Sequence, residues 1–302
     1  MSLRLATAEE RRARDAVTHE AWGQGLDREP FLAREERLRG HPWARRAMRT
    51  WLWTGPAGEP LASCETFEVD SDVGGLRGRS WLVASVFVVP SLRRRGHSAA
   101  MLSALKERLG AESDGQAVAL FSEVGVEVYA RLGFFAVPSW DTWFDAASEK
   151  PEEVQWLSSP LPAPRPPPPA ARVVRLGLCD GQLDWHLERE RFYQQAWRKP
   201  ALPWHGAKVG ASSIGWTAYW RTGELHVLFL DVAADAHRLP LVQAAQWAAA
   251  QAGVPVVRVW EGTPLDDLPG ARRARRDDEI GMFAPLRPGI TGWTHVERGL
   301  WA

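Results

Sequence analysis

Residues 80–109 read SWLVASVFVVPSLRRRGHSAAMLSALKERL. The run 81–89 is almost wholly apolar and rich in β-branched residues, which predicts a strand buried on both faces. Pro90 ends it. The loop 91–98 follows, and then Ala99, Leu102, Leu105 and Leu109 fall at the spacing of an amphipathic helix. A strand, a basic glycine-containing loop and a helix N-terminus together predict an anion site. The free N–H groups of the first helical turn point into the loop, and the helix dipole favours negative charge there. Gly96 permits close approach of a phosphate to the backbone, and Arg93, Arg94 and Arg95 add positive charge. His97 and Ser98 lie in the same loop, where a backbone role is expected for His97.

The flanking sequence extends the pattern. Residues 3–6 suggest a short strand, and Thr7 is a plausible N-cap for a helix reaching 21, with Glu9 and Glu10 in its first turn. A second helix is read over 27–39. Strands are read over 49–53 and 61–69, joined by a turn holding Gly55, Pro56 and Gly58. After the helix that starts at 98 come a strand over 117–121, a helix over 126–132 and a closing strand over 140–144. The order is β-α-α-β-β-β-α-β-α-β, with the strand ending at 89 expected to be the longest.

Two segments in this order carry a resemblance. Arg93-x-x-Gly96-x-Ser98 resembles the acyl-CoA pyrophosphate loop of the GCN5-related N-acetyltransferase (GNAT) superfamily, whose pattern is Gln/Arg-x-x-Gly-x-Gly/Ala. Ser98 replaces the usual Gly or Ala. Tyr129-x-x-x-Gly133-Phe134 resembles the second GNAT signature. Cys64-Glu65-Thr66, Ala84-Ser85-Val86-Phe87 and Leu120-Phe121-Ser122-Glu123-Val124-Gly125 are similar to the fungal lysine N6-acetyltransferase family, as is the segment from Gly292-Trp293-Thr294 to Trp301. Phe121 and Glu123 replace Tyr and Asp of that family's pattern.

The resemblance implies an α/β chain with a mixed sheet and a GNAT fold in the N-terminal half, and the repeated element order of the second half adds a degenerate GNAT-like C-terminal half. The expected units are 1–148, an acetyl-CoA-binding catalytic domain; 149–171, a Pro-rich linker; and 172–302, a GNAT-like domain without a pyrophosphate loop. The linker is read from the dense prolines between 160 and 169 as an extended polyproline II spacer. In the second half a helix is read over 180–197, strands over 207–210, 213–220 and 224–232, a helix over 239–252 and a strand over 255–260. This β-β-β-α-β order repeats that of 49–121, but the loop 233–240 has no glycine.

The activity implied is acetyl-CoA-dependent N-acetylation of a small-molecule primary amine, with the ε-amine of lysine as the narrow expectation, by direct transfer in a ternary complex. Antibiotic or protein-lysine acetylation and an inactive acyl-CoA-binding module are the alternatives. Acetyl transfer needs a neutral amine, a polarised carbonyl and a protonated leaving thiolate. Phe87 or Val88 is the region expected to offer a backbone N–H to the carbonyl, and the resemblance assigns Tyr129 to the sulfur. Glu65 is the first choice of base or amine anchor, and Glu123 the second. The run Asp277-Asp278-Glu279 could add head-group contacts. The second half is expected to shape the amine site, so residues 1–150 alone should bind acetyl-CoA but acetylate poorly.

Composition bounds the partners. Lys+Arg and Asp+Glu are 37 each in 302 residues, so charge gives no argument for nucleic acid or an anionic membrane. Two cysteines, Cys64 and Cys179, support neither a disulfide framework nor a zinc site, and no metal is expected. No apolar run reaches the roughly 18 residues of a membrane span. The N-terminus lacks the apolar core of a secretory signal, so a cytoplasmic location is expected. A homodimer is left open. The 17 tryptophans suit a thick core or a lined pocket.

Overall fold

Local chemistry sets the first elements. After β1 (Ser2–Leu5), the Thr7 hydroxyl accepts the Glu10 N–H at 3.2 Å while the Glu10 carboxylate accepts the Thr7 N–H at 2.8 Å. This reciprocal cap starts α1 (Ala8–Trp22) where the sequence predicts it. α2 (Arg28–Gly40) follows. A helix absent from the sequence reading, α3 (Pro42–Ala47), then opens with proline in its first turn. The computed structural model describes residues 1–23, 25–260 and 264–301.

β2 (Met48–Thr54), β3 (Pro60–Val73) and β4 (Leu76–Val88) form an antiparallel meander. α4 (His97–Gly110) then leads to β5 (Gly115–Ser122), parallel to β4. β3 has 14 residues against 13 in β4, so β4 is not the longest strand. After β5 come α5 (Glu127–Ala130), β6 (Phe135–Ala136), β7 (Trp140–Asp145) and β8 (Gln155–Leu157). The helix read over 126–132 is thus a single turn.

The second half runs β9 (Val173–Leu176), α6 (Asp180–Ala196), β10 (Gly206–Val209), β11 (Ser212–Tyr219), β12 (Glu224–Asp231), α7 (Arg238–Ala252) and β13 (Val256–Trp260). It ends in β14 (Arg272–Arg275), β15 (Ile280–Pro285) and β16 (Gly292–Thr294). β10 to β12 are antiparallel, and β13 is parallel to β12 across α7, as β5 is parallel to β4 across α4. The repeated order is therefore a repeated pairing.

The two sheets exchange a strand. β7, expected to close the first sheet, instead pairs with β13 and β14 of the second. β15 takes the matching place in the first sheet, between β5 and β6. The reason lies in partners that only the other half offers. Asp141 on β7 accepts from Arg258 of β13 at 2.7 and 3.0 Å, and Phe144 is buried in the core under α7. Met282 and Ala284 of β15 pack with Met101 and Leu120 of the first half. The sheets thus cross the linear division of the chain into 1–148 and 172–302. The Pro-rich segment is also engaged: β8 forms the edge strand beside β10, and Leu161 is fully buried.

α4 covers one face of the first sheet. The other face meets α2, α3 and, from the second half, α6, whose Trp185 packs against Trp43 and Phe67. α6 thus stands between the two halves, beside the site described next.

Candidate active site

The site begins where β4 leaves β5. Their parallel pairing stops at Val83 opposite Leu120. On its other side β4 carries one extra residue relative to β3, because Ala84 pairs with Glu65 and Phe87 with Ser63. Ser85 sits in this bulge with φ of 52°. A bulge bends its strand and sharpens the twist, and here it opens the gap between β4 and β5. Arg14 of α1 holds the bulge from the side. Its guanidinium donates to the Ser85 carbonyl at 2.9 Å, the Ser63 hydroxyl at 3.0 Å and the Glu65 carboxylate at 3.0 Å.

From the bulge, β4 runs to the basic loop. Phe87 is buried, and Val88 is partly so. A 3₁₀ turn over Pro90–Leu92 leads to Arg93, Arg94 and Arg95, all exposed, and among the described residues none of the three pairs with a carboxylate. Arg93 lies over the Phe87 ring, 5.8 Å from its centroid. Gly96 is the N-cap of α4 with φ of 80°, and no side chain caps the first turn. A Cβ at Gly96 would meet no protein atom within 4 Å. The glycine is required by its left-handed backbone, and the space beside it is open. Three arginines without carboxylate partners, an uncapped N-terminus of a 14-residue helix and an open glycine fit a pyrophosphate. His97 and Ser98 form the start of the helix, so the whole predicted set from Phe87 to Ser98 lies along one path.

At the other end of that path is a cavity of about 550 Å³ built by both halves. The first half contributes Arg14, Arg39, Glu65, Glu123 and Tyr129 to its wall, and the second contributes Arg189, Tyr219, His226, Asp278, Glu279 and Arg298. The three predicted catalytic side chains therefore share one space, in different states. Glu65 is buried and engaged by Arg14 at 3.0 Å and Arg39 at 3.6 Å. Glu123 sits just past β5, on a turn that the Ser122 hydroxyl closes by donating to the Gly125 carbonyl at 2.6 Å. Desolvation, then the charges of Glu279 and Asp278, push its carboxyl above the usual range. Tyr129 is buried, and its hydroxyl makes no hydrogen bond among the described residues. Burial, then Glu123 and Cys64, push its phenol up to about 12. Of the acidic run, Asp278 and Glu279 line the cavity and Asp277 does not. Arg298 donates to Glu279 at 2.6 Å.

Solved structures share this architecture. The chain is similar to a probable N-acyltransferase from Enterococcus faecalis V583, a conserved protein of unknown function, with TM-score 0.59 and 13% identity over 95% of this chain and 72% of that one. It is similar to Eis1 from Mycobacterium abscessus, with TM-score 0.58 and 15% identity over 95% and 74%. A GCN5-related N-acetyltransferase from Kribbella flavida gives 0.55 and 16% over 94% and 72%. The fold is that of the GNAT acetyltransferases. No protein-family model matches the sequence, and no curated protein does. These likenesses do not reach the narrower resemblance to lysine N6-acetyltransferases.

Within the GNAT fold, the sequence reading missed the arginines of the cavity. Arg14, Arg34 and Arg39 lie on helices whose charges are spread over every face, and nothing in their spacing marks the ones that turn inward. Trp185, Arg189 and Tyr193 did carry a signal. They recur every four residues on α6, so they share one stripe, and all three line the cavity.

Proposed function

We propose that the chain transfers an acetyl group from acetyl-CoA directly to the primary amine of a small molecule held between its two halves. The observation that carries this reading is the continuity of the bulged strand. It borders a cavity lined by carboxylates at its bulge and ends at a loop fitted to a pyrophosphate. The first turn of α4 and Arg93 to Arg95 would hold the phosphates, and a backbone N–H at Phe87 or Val88 would meet the thioester carbonyl. Acetyl-CoA, when bound, supplies an activated acyl group with a thiolate leaving group.

The chain's own groups supply the proton transfers. Glu123 has a raised pKa and is therefore a stronger base than an ordinary surface carboxylate, which suits removal of a proton from the amine. Tyr129 stays protonated to about pH 12 and is the donor to the departing sulfur. Glu65, engaged by two arginines, is assigned to holding the bulge and orienting the amine. Cys64 supports direct transfer, because burial pushes its thiol up to about 12 and a thiol is a poor nucleophile. Lysine remains the narrow proposal for the amine.

A thiol-release assay with acetyl-CoA over lysine, spermidine and a simple alkylamine tests the reading. Turnover that requires a primary amine is expected. No release with any of them would overturn the transferase assignment, and equal rates with all three would remove lysine alone.

A further inference from the structure

One arginine of the cavity is held in a way that the proton transfers above do not use. Arg14, Arg34, Arg39, Arg258 and Arg298 each pair with a carboxylate of the chain. Arg189 lines the same cavity and, among the described residues, makes no hydrogen bond or ion pair. Its guanidinium carbon lies 4.3 Å from the ring centroid of Trp185 and 5.2 Å from that of Trp301. Aromatic faces hold a guanidinium without using its N–H groups, so its fork of five donors is left for another partner. The carboxylate whose charge it feels, Glu35, is already engaged by Arg34 and Arg39. Removing a guanidinium from water without a counter-charge is costly, and an anion brought in by a ligand would offset it.

We infer that Arg189 receives a carboxylate of the amine substrate, so that the acceptor is an amino acid or another amine bearing a carboxylate. The inference rests on the transferase reading above. A planar fork matches a carboxylate with two parallel hydrogen bonds. Glu123, Asp278 and Glu279 on the same cavity wall favour the ammonium end of such a molecule. A polycationic acceptor without a carboxylate would leave Arg189 unmatched.

The test uses the full chain, as wild type and as Arg189→Gln, with two matched pairs: lysine against cadaverine, and ornithine against putrescine. Each pair differs by one carboxylate. Wild type is expected to prefer the acid of each pair in kcat/KM. Arg189→Gln is expected to lower that preference roughly ten- to a hundredfold, mostly through KM of the acid. Circular dichroism and unchanged acetyl-CoA affinity establish that the variant is folded. Equal use of both members by wild type, or a preference that survives in Arg189→Gln, overturns the inference. If no amine releases thiol, the transferase reading fails separately, and calorimetry with lysine decides this one. Weaker binding to Arg189→Gln supports it, and equal binding, or none to either protein, overturns it.

Discussion

At the mouth of β5 the charge of Glu123 helps to raise the Tyr129 phenol, and the two groups are proposed for opposed tasks. Glu123 acts as a base only when ionised. Its pKa is raised, so kcat/KM should climb with pH through that raised value rather than through the ordinary carboxylate range. Glu123→Gln should remove this limb of the pH profile and lower turnover by roughly 10²-fold or more. A variant that keeps the wild-type profile would move the base elsewhere, with Glu65 the next to test. Tyr129→Phe should lower kcat while leaving acetyl-CoA affinity unchanged, because its hydroxyl is needed only as the thiolate departs. Steady-state kinetics with calorimetry separates the two effects. At this scale the sequence is informative where a backbone or a signature singles out one residue, as at Gly96 and Tyr129. It is silent at Arg14, which differs from its helical neighbours only in what the fold places opposite it.

The element that opens the cavity is β4 with its bulge, and Arg14 is its support. Arg14 and Glu65 are both buried. Replacing Arg14 by Met would leave the buried Glu65 carboxylate only its longer contact with Arg39 and would free the Ser85 carbonyl, at a cost on the order of 3 kcal/mol in urea unfolding. The double replacement Arg14→Met with Glu65→Met should cost less than Arg14→Met alone, since no buried charge is left unpaired. In the loop after β4, Gly96→Asn should fold, because asparagine tolerates the left-handed backbone and its Cβ enters open space, yet weaken acetyl-CoA binding in calorimetry by occupying the space beside the helix N-terminus. Unchanged affinity there would remove the loop from the donor site. Elements with their own periodicity are legible in the sequence alone, among them α1, α4, α6, α7 and β10 to β13. Those held mainly by neighbours are not. β14 is Arg272–Arg275, exposed throughout, and β15 is a six-residue strand directly after an acidic run. Neither has the alternation or length that marks a strand on its own.

At the scale of the molecule, the exchange of β7 and β15 ties the halves together. It changes the expectation for residues 1–150. That fragment would leave the β15 side of β5 as an open edge and carry β7 without its sheet. It should aggregate or stay unfolded by circular dichroism, and a folded, acetyl-CoA-binding fragment would contradict this. A buried hydrogen bond within the second half gives a pH limit. His186 of α6 donates to the Gly299 carbonyl at 2.8 Å, and burial, then Arg189, hold its pKa down at about 3 against 6.5 when free. Below 6.5 the unfolded chain takes up the proton first, so this stability is complete above 6.5 and is lost as pH falls toward about 3. Urea unfolding at pH 7 and pH 5 should show a loss on the order of 2 kcal/mol from this group, absent in His186→Gln. No helix among the described residues is long and apolar enough to cross a membrane. The central claim is that one cavity, walled by both halves, receives an acetyl group from the β4 side and passes it to a free amine. Acetyl-CoA labelled with ¹³C at the carbonyl tests it most directly, followed by NMR in the presence of the full chain and lysine. The labelled carbon should move from the thioester to an amide on the free amine. A label that stays in the thioester, or that appears only as acetate or on the protein itself, would contradict the account.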